Sequence, residues 1–196
     1  MRKMKNKAGF SLIEMLVALL IMVFLIMGMG VGMDTGSRIY RDASFESDSA
    51  TLAGILNTSL GDILRYSIDV KENTEDPATA LKDVSGTVYT KEEVPFVFTS
   101  LDYGIQDAYF HIPLNVADGT SSGVLQMKNL RTNIAVELVN SGAYPDLLVS
   151  EFNISYKPRQ NPGIEGGYFT ITYKITSASD PDKVREVESI VRLMND

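Results

Sequence analysis

The 196-residue chain has no cysteine, no tryptophan and a single histidine. Without thiols it can hold no disulfide scaffold, thiolate metal centre, lipid-modified cysteine or thiol nucleophile. One histidine leaves little room for a zinc cluster or a His-based triad. Positive charge is also short, at 18 Lys+Arg against 25 Asp+Glu for a net of −7. That balance is the reverse of the basic footprint of a nucleic-acid binder, and no direct nucleic-acid contact is expected. With 44% hydrophobic and 22% charged residues, the remainder is the composition of one modest globular domain.

The positive charge that is present is unevenly placed. Arg2, Lys3, Lys5 and Lys7 put +4 on the first nine residues, and the other 187 carry a net of −11. An apolar stretch follows, with no charged residue from Met15 to Met33. Those 19 positions are enough to cross a hydrocarbon core as a helix. Basic residues before the span and acidic ones after it orient the N-terminus toward the cytoplasm. A secretory signal peptide would share the basic start. Its apolar region would be shorter, however, and would end in a small-x-small cleavage site, for which Gly28-Met-Gly-Val-Gly32 is the nearest substitute. Glu14 sits at the start of this stretch. A carboxylate in an apolar span is costly enough to imply a partner, unless it stays at the interface and reaches water.

The segment Lys7-Ala-Gly9-Phe10-Ser-Leu-Ile-Glu14-Met-Leu-Val-Ala resembles the cleavage and methylation segment of type IV prepilins and type II secretion pseudopilins. It combines a short basic leader, Gly9, the aromatic Phe10, Ser11, Leu-Ile-Glu and an unbroken apolar helix. The likeness covers about the first 33 residues. It departs from most pilins in having no proline in the span, the first being Pro77.

The resemblance implies cleavage between Gly9 and Phe10 by a prepilin peptidase, with methylation of the new Phe10 amine by the same enzyme. It also implies a filament in which Glu14 pairs with the Phe10 amine of a neighbouring subunit. The implied partners are other pilin or pseudopilin subunits, the prepilin peptidase, the pilus assembly platform and the cytoplasmic membrane. The head would lie outside that membrane, at its surface or in a cell-surface filament. The implied role is a structural subunit, a minor component, with neither enzymatic activity nor a cofactor. The alternative is a single-pass, membrane-anchored extracytoplasmic binding module that joins no filament.

Beyond the span, Leu52, Ile55, Leu56, Leu60, Ile63 and Leu64 recur at helical spacing, and Ile39, Tyr40 and Ala43 could continue the stripe. Gly28, Gly30, Gly32 and Gly36 interrupt helix propensity where the membrane and soluble halves should meet. They fit either a local bend or close packing of helices. The stretch 71–79 is polar and turn-rich. Strand-like runs follow at 94–99, 108–116, 123–128 and 133–139. The clearest alternation places Phe169, Ile171, Tyr173 and Ile175 on one face, with flanking runs Phe152/Ile154/Tyr156 and Val187/Val191/Leu193.

The expected fold is α+β: a long spine helix packed on a C-terminal antiparallel sheet. It divides into a leader (1–9), an assembly helix (10–33), a helical continuation (34–70) and a β-rich head (71–196). No catalytic set emerges. His111 reads as a strand or core histidine, and Gly163-Ile-Glu-Gly-Gly167 as a loop before a strand. Asp180 and Asp182 flank Pro181 in a late turn. Some pseudopilins hold calcium in such a loop, but Asx turns explain the pattern as well and EF-hand spacing is missing. Glu72, Glu75 and Asp76 read as a solvated connection.

Overall fold

The computed structural model describes residues 11–76, 78–100, 103–114, 121–159 and 167–194. A single 54-residue helix, α1, runs from Leu12 to Arg65, as the absence of proline allows. Its C-terminal carbonyls are satisfied from outside the helix. The Ser67 hydroxyl donates to Leu64 O at 2.7 Å, and Met194 N–H donates to Arg65 O at 2.9 Å.

The chain divides into two units, one ending at Glu46 and the other beginning at Ser47. In the first, the described residues from Leu12 on are all helical and none is buried. The second holds the remainder of α1 and all the strands. There α1 buries Ser49, Leu52, Ala53, Leu56, Leu60, Gly61, Ile63 and Leu64. Ile55 lies at the margin of the expected stripe and is 39% exposed. The continuation through Ile39, Tyr40 and Ala43 does not occur, since all three are solvent-exposed.

Among the described residues, eight antiparallel strands follow in two sheets. The first has the order β1 (Ser67–Glu72), β2 (Phe96–Ser100), β3 (Ile105–His111), β4 (Gln126–Asn129) and β5 (Ala135–Glu137). The second comprises β6 (Leu147–Lys157), β7 (Tyr168–Ser177) and β8 (Val184–Arg192). Helix therefore stops at Arg65 rather than near 70, because Ser67 to Glu72 pair with β2. β1 offers only Ile68 and Val70 as an alternating apolar pair, too short a pattern to mark a strand right after the helical stripe.

One core joins α1 to both sheets. Leu52, Leu56, Leu60 and Leu64 cluster with Phe96, Phe98 and Phe110 from the first sheet and Phe169, Ile171 and Ile175 from the second. Tyr173 ties the helix to β7, its hydroxyl within donor reach of Asn57 Oδ1 (3.0 Å) and Ala53 O (3.3 Å). Burial pushes that phenol up to about 12. The opposite face of β2 and β3 carries a smaller core of Val94, Val97, Tyr109 and Leu130, packed with Leu81 and Tyr89. This second cover is why all five residues of β2 are buried. Asn73 organises it, donating to Tyr89 O and accepting from the Thr74 and Leu81 N–H groups, each at 2.9 Å.

Three register shifts coincide with acidic residues in the left-handed region: Asp69 (φ 54°), Asp107 (φ 49°) and Glu151 (φ 49°). Each bulge residue meets a basic side chain. Lys71 Nζ reaches Asp69 at 2.9 Å and Asp107 at 3.2 Å, Arg131 also bonds Asp107, and Lys174 Nζ reaches Glu151 at 2.7 Å. The Glu151 bulge switches the parity of β6. Leu147 and Val149 before it and Phe152, Ile154 and Tyr156 after it thereby all join the main core.

The segment leading into β4 meets β6 at Gly123, whose carbonyl accepts from Val149 N–H at 2.8 Å. Gly123 has φ +69°, and a Cβ there would stand 2.8 Å from Leu148 Cβ. Gly123→Ala is expected to destabilise the head by about 1–3 kcal/mol through strain and overpacking. Chemical denaturation of the full chain would show this as a lower midpoint with an unchanged slope, and an unchanged midpoint would contradict it.

Candidate processing and assembly segment

Gly9 and Phe10, the expected cleavage pair, lie outside the described residues. The description begins at Ser11, which caps α1. Ser11 N–H donates to Glu14 Oε2 at 2.9 Å, and Glu14 N–H donates to Ser11 Oγ at 3.2 Å. This reciprocal pair is a capping box, satisfying amides that the first helical turn leaves without partners. The Glu14 carboxylate thus sits in the first turn of α1, at the positive end of the helix dipole. It stands at the end of the apolar span rather than in its middle, where a charge would cost most. The Ser-x-x-Glu spacing ahead of an apolar run carries the signal for this bond, and reading Glu14 only as an intramembrane charge misses it.

Above the cap, apolar side chains project on every side of the helix. All residues from Leu12 to Met33 are solvent-exposed within the chain, Phe24 at 67% among them. α1 is long and apolar enough to cross a membrane. The helix is continuous across Gly28, Gly30, Gly32 and Gly36, and a Cβ at any of these four would meet nothing within 4 Å. At about 100° per residue, Gly28, Gly32 and Gly36 return to nearly the same face at every fourth position.

The head's polar candidates assemble no reactive set. His111 lies on β3 beside Tyr109, with ring centroids 5.4 Å apart. Its Nε2 is buried and has no hydrogen-bond partner among the described residues. Asp180 belongs to a tight turn, where its carbonyl accepts from Lys183 N–H at 3.0 Å and its carboxylate stands 3.8 Å from Lys183 Nζ. Among the described residues no three His, Asp or Glu side chains converge as metal ligands. Glu72 ends β1, Asp76 caps the following turn by accepting from Ala78 N–H at 2.9 Å, and most of the Gly163–Gly167 loop is outside the described residues. An apolar cleft of about 190 Å³ lies between Leu52 and Leu56 of α1, Gly123, and the 139–149 segment.

The architecture is that of a membrane-anchored α+β protein: a long apolar helix whose C-terminal part packs against antiparallel sheet. Residues 4–30 match the prokaryotic N-terminal methylation motif. That is the signal motif of type IV pilins and pseudopilins, so the chain carries a prepilin-peptidase substrate sequence on a pilin-like fold. No curated protein and no solved structure matches the chain.

His111 makes the stability of the head pH-dependent. Burial, reinforced by the Lys128 ammonium, holds its imidazole below the ordinary value of 6.5. The unfolded chain therefore binds this proton more readily than the folded one. The contribution of His111 is fully present above the unfolded value and is lost as pH falls through the depressed folded one. The denaturation midpoint should drop on going from neutral pH to pH 5, and by less in His111→Gln. Parallel pH profiles for the two proteins would exclude this role.

Proposed function

We propose that the chain is a structural subunit of a type IV pilus-like or pseudopilus filament, present as a minor component. In this reading the prepilin peptidase cuts after Gly9 and methylates the amine of Phe10. The apolar helix stays on the mature protein, and the basic leader is removed. The observation that carries the reading is the methylation motif at 4–30, which runs into the first half of α1, where the apolar surface is uncovered by its own chain. Catalysis forms no part of the proposal.

Within the filament, Glu14 acts as a register device. The Ser11 N–H engages Oε2, and a carboxylate has further acceptor capacity for the Phe10 amine of a neighbouring subunit. Apolar helices packed side by side can slide along one another, whereas one ion pair sets their axial offset. A charge left without its partner in that setting is strongly disfavoured. The other proposed partners are the remaining filament subunits and the assembly platform. The head faces away from the cytoplasm, at the membrane or on a surface filament.

Two substitutions separate the ion pair from the helix cap. Glu14→Ala removes both, while Glu14→Gln keeps an oxygen for the Ser11 N–H but loses the charge. Each is expected to lower recovery of the chain in sheared filaments by about tenfold or more, with membrane insertion unchanged. Normal incorporation of Glu14→Gln would show that capping alone suffices and would remove the ion pair from the account. Normal incorporation of both variants, or no association of the wild-type chain with filaments, would favour a membrane-anchored module instead.

A further inference from the structure

Ile39 and Tyr40 of α1 are large apolar side chains that belong neither to the charge-free span nor to the core of the head. Ile39 is 63% exposed and Tyr40 75% exposed. They are flanked by Arg38 and Arg41, and Arg38 is bridged to Asp34 one turn earlier at 3.1 Å, with both side chains open to solvent. At 1.5 Å per residue, a helix entering a roughly 30 Å hydrocarbon core at Met15 leaves it near Asp34. Arg38 to Arg41 then fall about 5–9 Å farther out, and a tilt of about 20° brings them some 2 Å closer. A headgroup layer extends roughly 5–7 Å beyond each side of the core, so this turn stands at headgroup depth.

We propose that Arg38, Tyr40 and Arg41 form an outer-leaflet anchor whose partner is the phosphate layer of the phospholipid headgroups. Tyr40 offers an apolar ring with a polar tip, the combination that settles at a membrane interface. The two arginines can lay their stems along the apolar boundary while their guanidinium forks engage phosphate oxygens. The side chains are also spread around the helix, Tyr40 standing about 100° from both Ile39 and Arg41. A one-sided protein interface would gather them on a single face, whereas lipid surrounds a lone helix. With the Ser11–Glu14 cap at the other end, the helix is marked at both interfaces. Glu14 and Tyr40 are about 39 Å apart along the axis, or about 37 Å across the membrane at a tilt of about 20°, close to the roughly 35–37 Å of a hydrocarbon core with one headgroup layer.

The inference rests on α1 being a membrane anchor and is independent of filament formation. Because the chain has no tryptophan, Tyr40→Trp supplies its only indole. The full-length variant would be reconstituted in phosphatidylcholine/phosphatidylglycerol vesicles carrying a spin label on the headgroup or at the end of the acyl chain. The expected result is blue-shifted emission, quenched more by the headgroup label than by the deep one. Adding Arg38→Gln and Arg41→Gln should move the emission toward the red and weaken that quenching. Phe24→Trp, in mid-span, reports insertion separately and should be quenched more by the deep label. If Phe24→Trp is deeply quenched while Tyr40→Trp emits as in water and ignores the headgroup label, the anchor is wrong and the span survives. Blue-shifted Tyr40→Trp emission that reverts when protein is diluted in lipid would assign the turn to a second copy and also overturn the proposal. Absence of deep quenching at Phe24→Trp would remove the membrane span itself.

Discussion

The surface that most constrains this protein is the one its own fold leaves uncovered. From Met15 to Met33 the chain has no charge, and every one of these residues is exposed within the chain. Apolar area on that scale is strongly disfavoured in water and must be covered by lipid or by other apolar helices. The capping box follows from the same constraint. Backbone amides at the end of a span meet no internal carbonyl, and Ser11 and Glu14 satisfy two of them within the chain. Cleavage at Gly9 would remove the leader charges and leave this capped start near the new terminus.

The head answers a different demand. It completes its core with the last five turns of α1, so the helix is covered where it carries Leu52, Leu56, Leu60 and Leu64 and uncovered where it carries the span. Tyr173 and the residues around it fix the helix to the second sheet, and the Gly123 carbonyl ties the segment before β4 to β6. The bulges at Asp69, Asp107 and Glu151 are local departures from regular pairing, each held by a lysine or arginine. They let sequences of the wrong parity supply one continuous apolar face.

Strong periodicity made the plan of the molecule legible. The stripe from Leu52 to Leu64 and the alternation in β7 each have a single physical reading, and the structure follows them; the span forms helix, as its length and lack of proline suggest. The first sheet was harder because its evidence is not periodic. Phe96, Val97 and Phe98 are consecutive apolar residues covered on both faces, and a run of that kind does not reveal what covers it. β1 was hidden by its shortness, since Ile68 and Val70 are an alternation of only two apolar residues that follows directly on the helical stripe ending at Leu64. Phe152 to Tyr156 read correctly as a strand, but the shift of parity at Glu151 depends on a backbone angle that no side-chain pattern records. At the N-terminus the order was reversed: Ser11 and Glu14 were already the informative residues, and geometry added the bond between them. Exposure of Ile39 and Tyr40 could not be read from spacing, because helical spacing is the same whether or not a sheet lies opposite.

The central claim is that this chain works as a processed subunit, and its new N-terminus is the most direct place to test it. The measurement is mass spectrometry of the N-terminal peptide of the chain isolated from membranes and sheared filaments of cells containing a prepilin peptidase. The account predicts a peptide beginning at Phe10, heavier than the unmodified sequence by one methyl group on its amine. A membrane form that retains Arg2, Lys3, Lys5 and Lys7 at an intact N-terminus would contradict it.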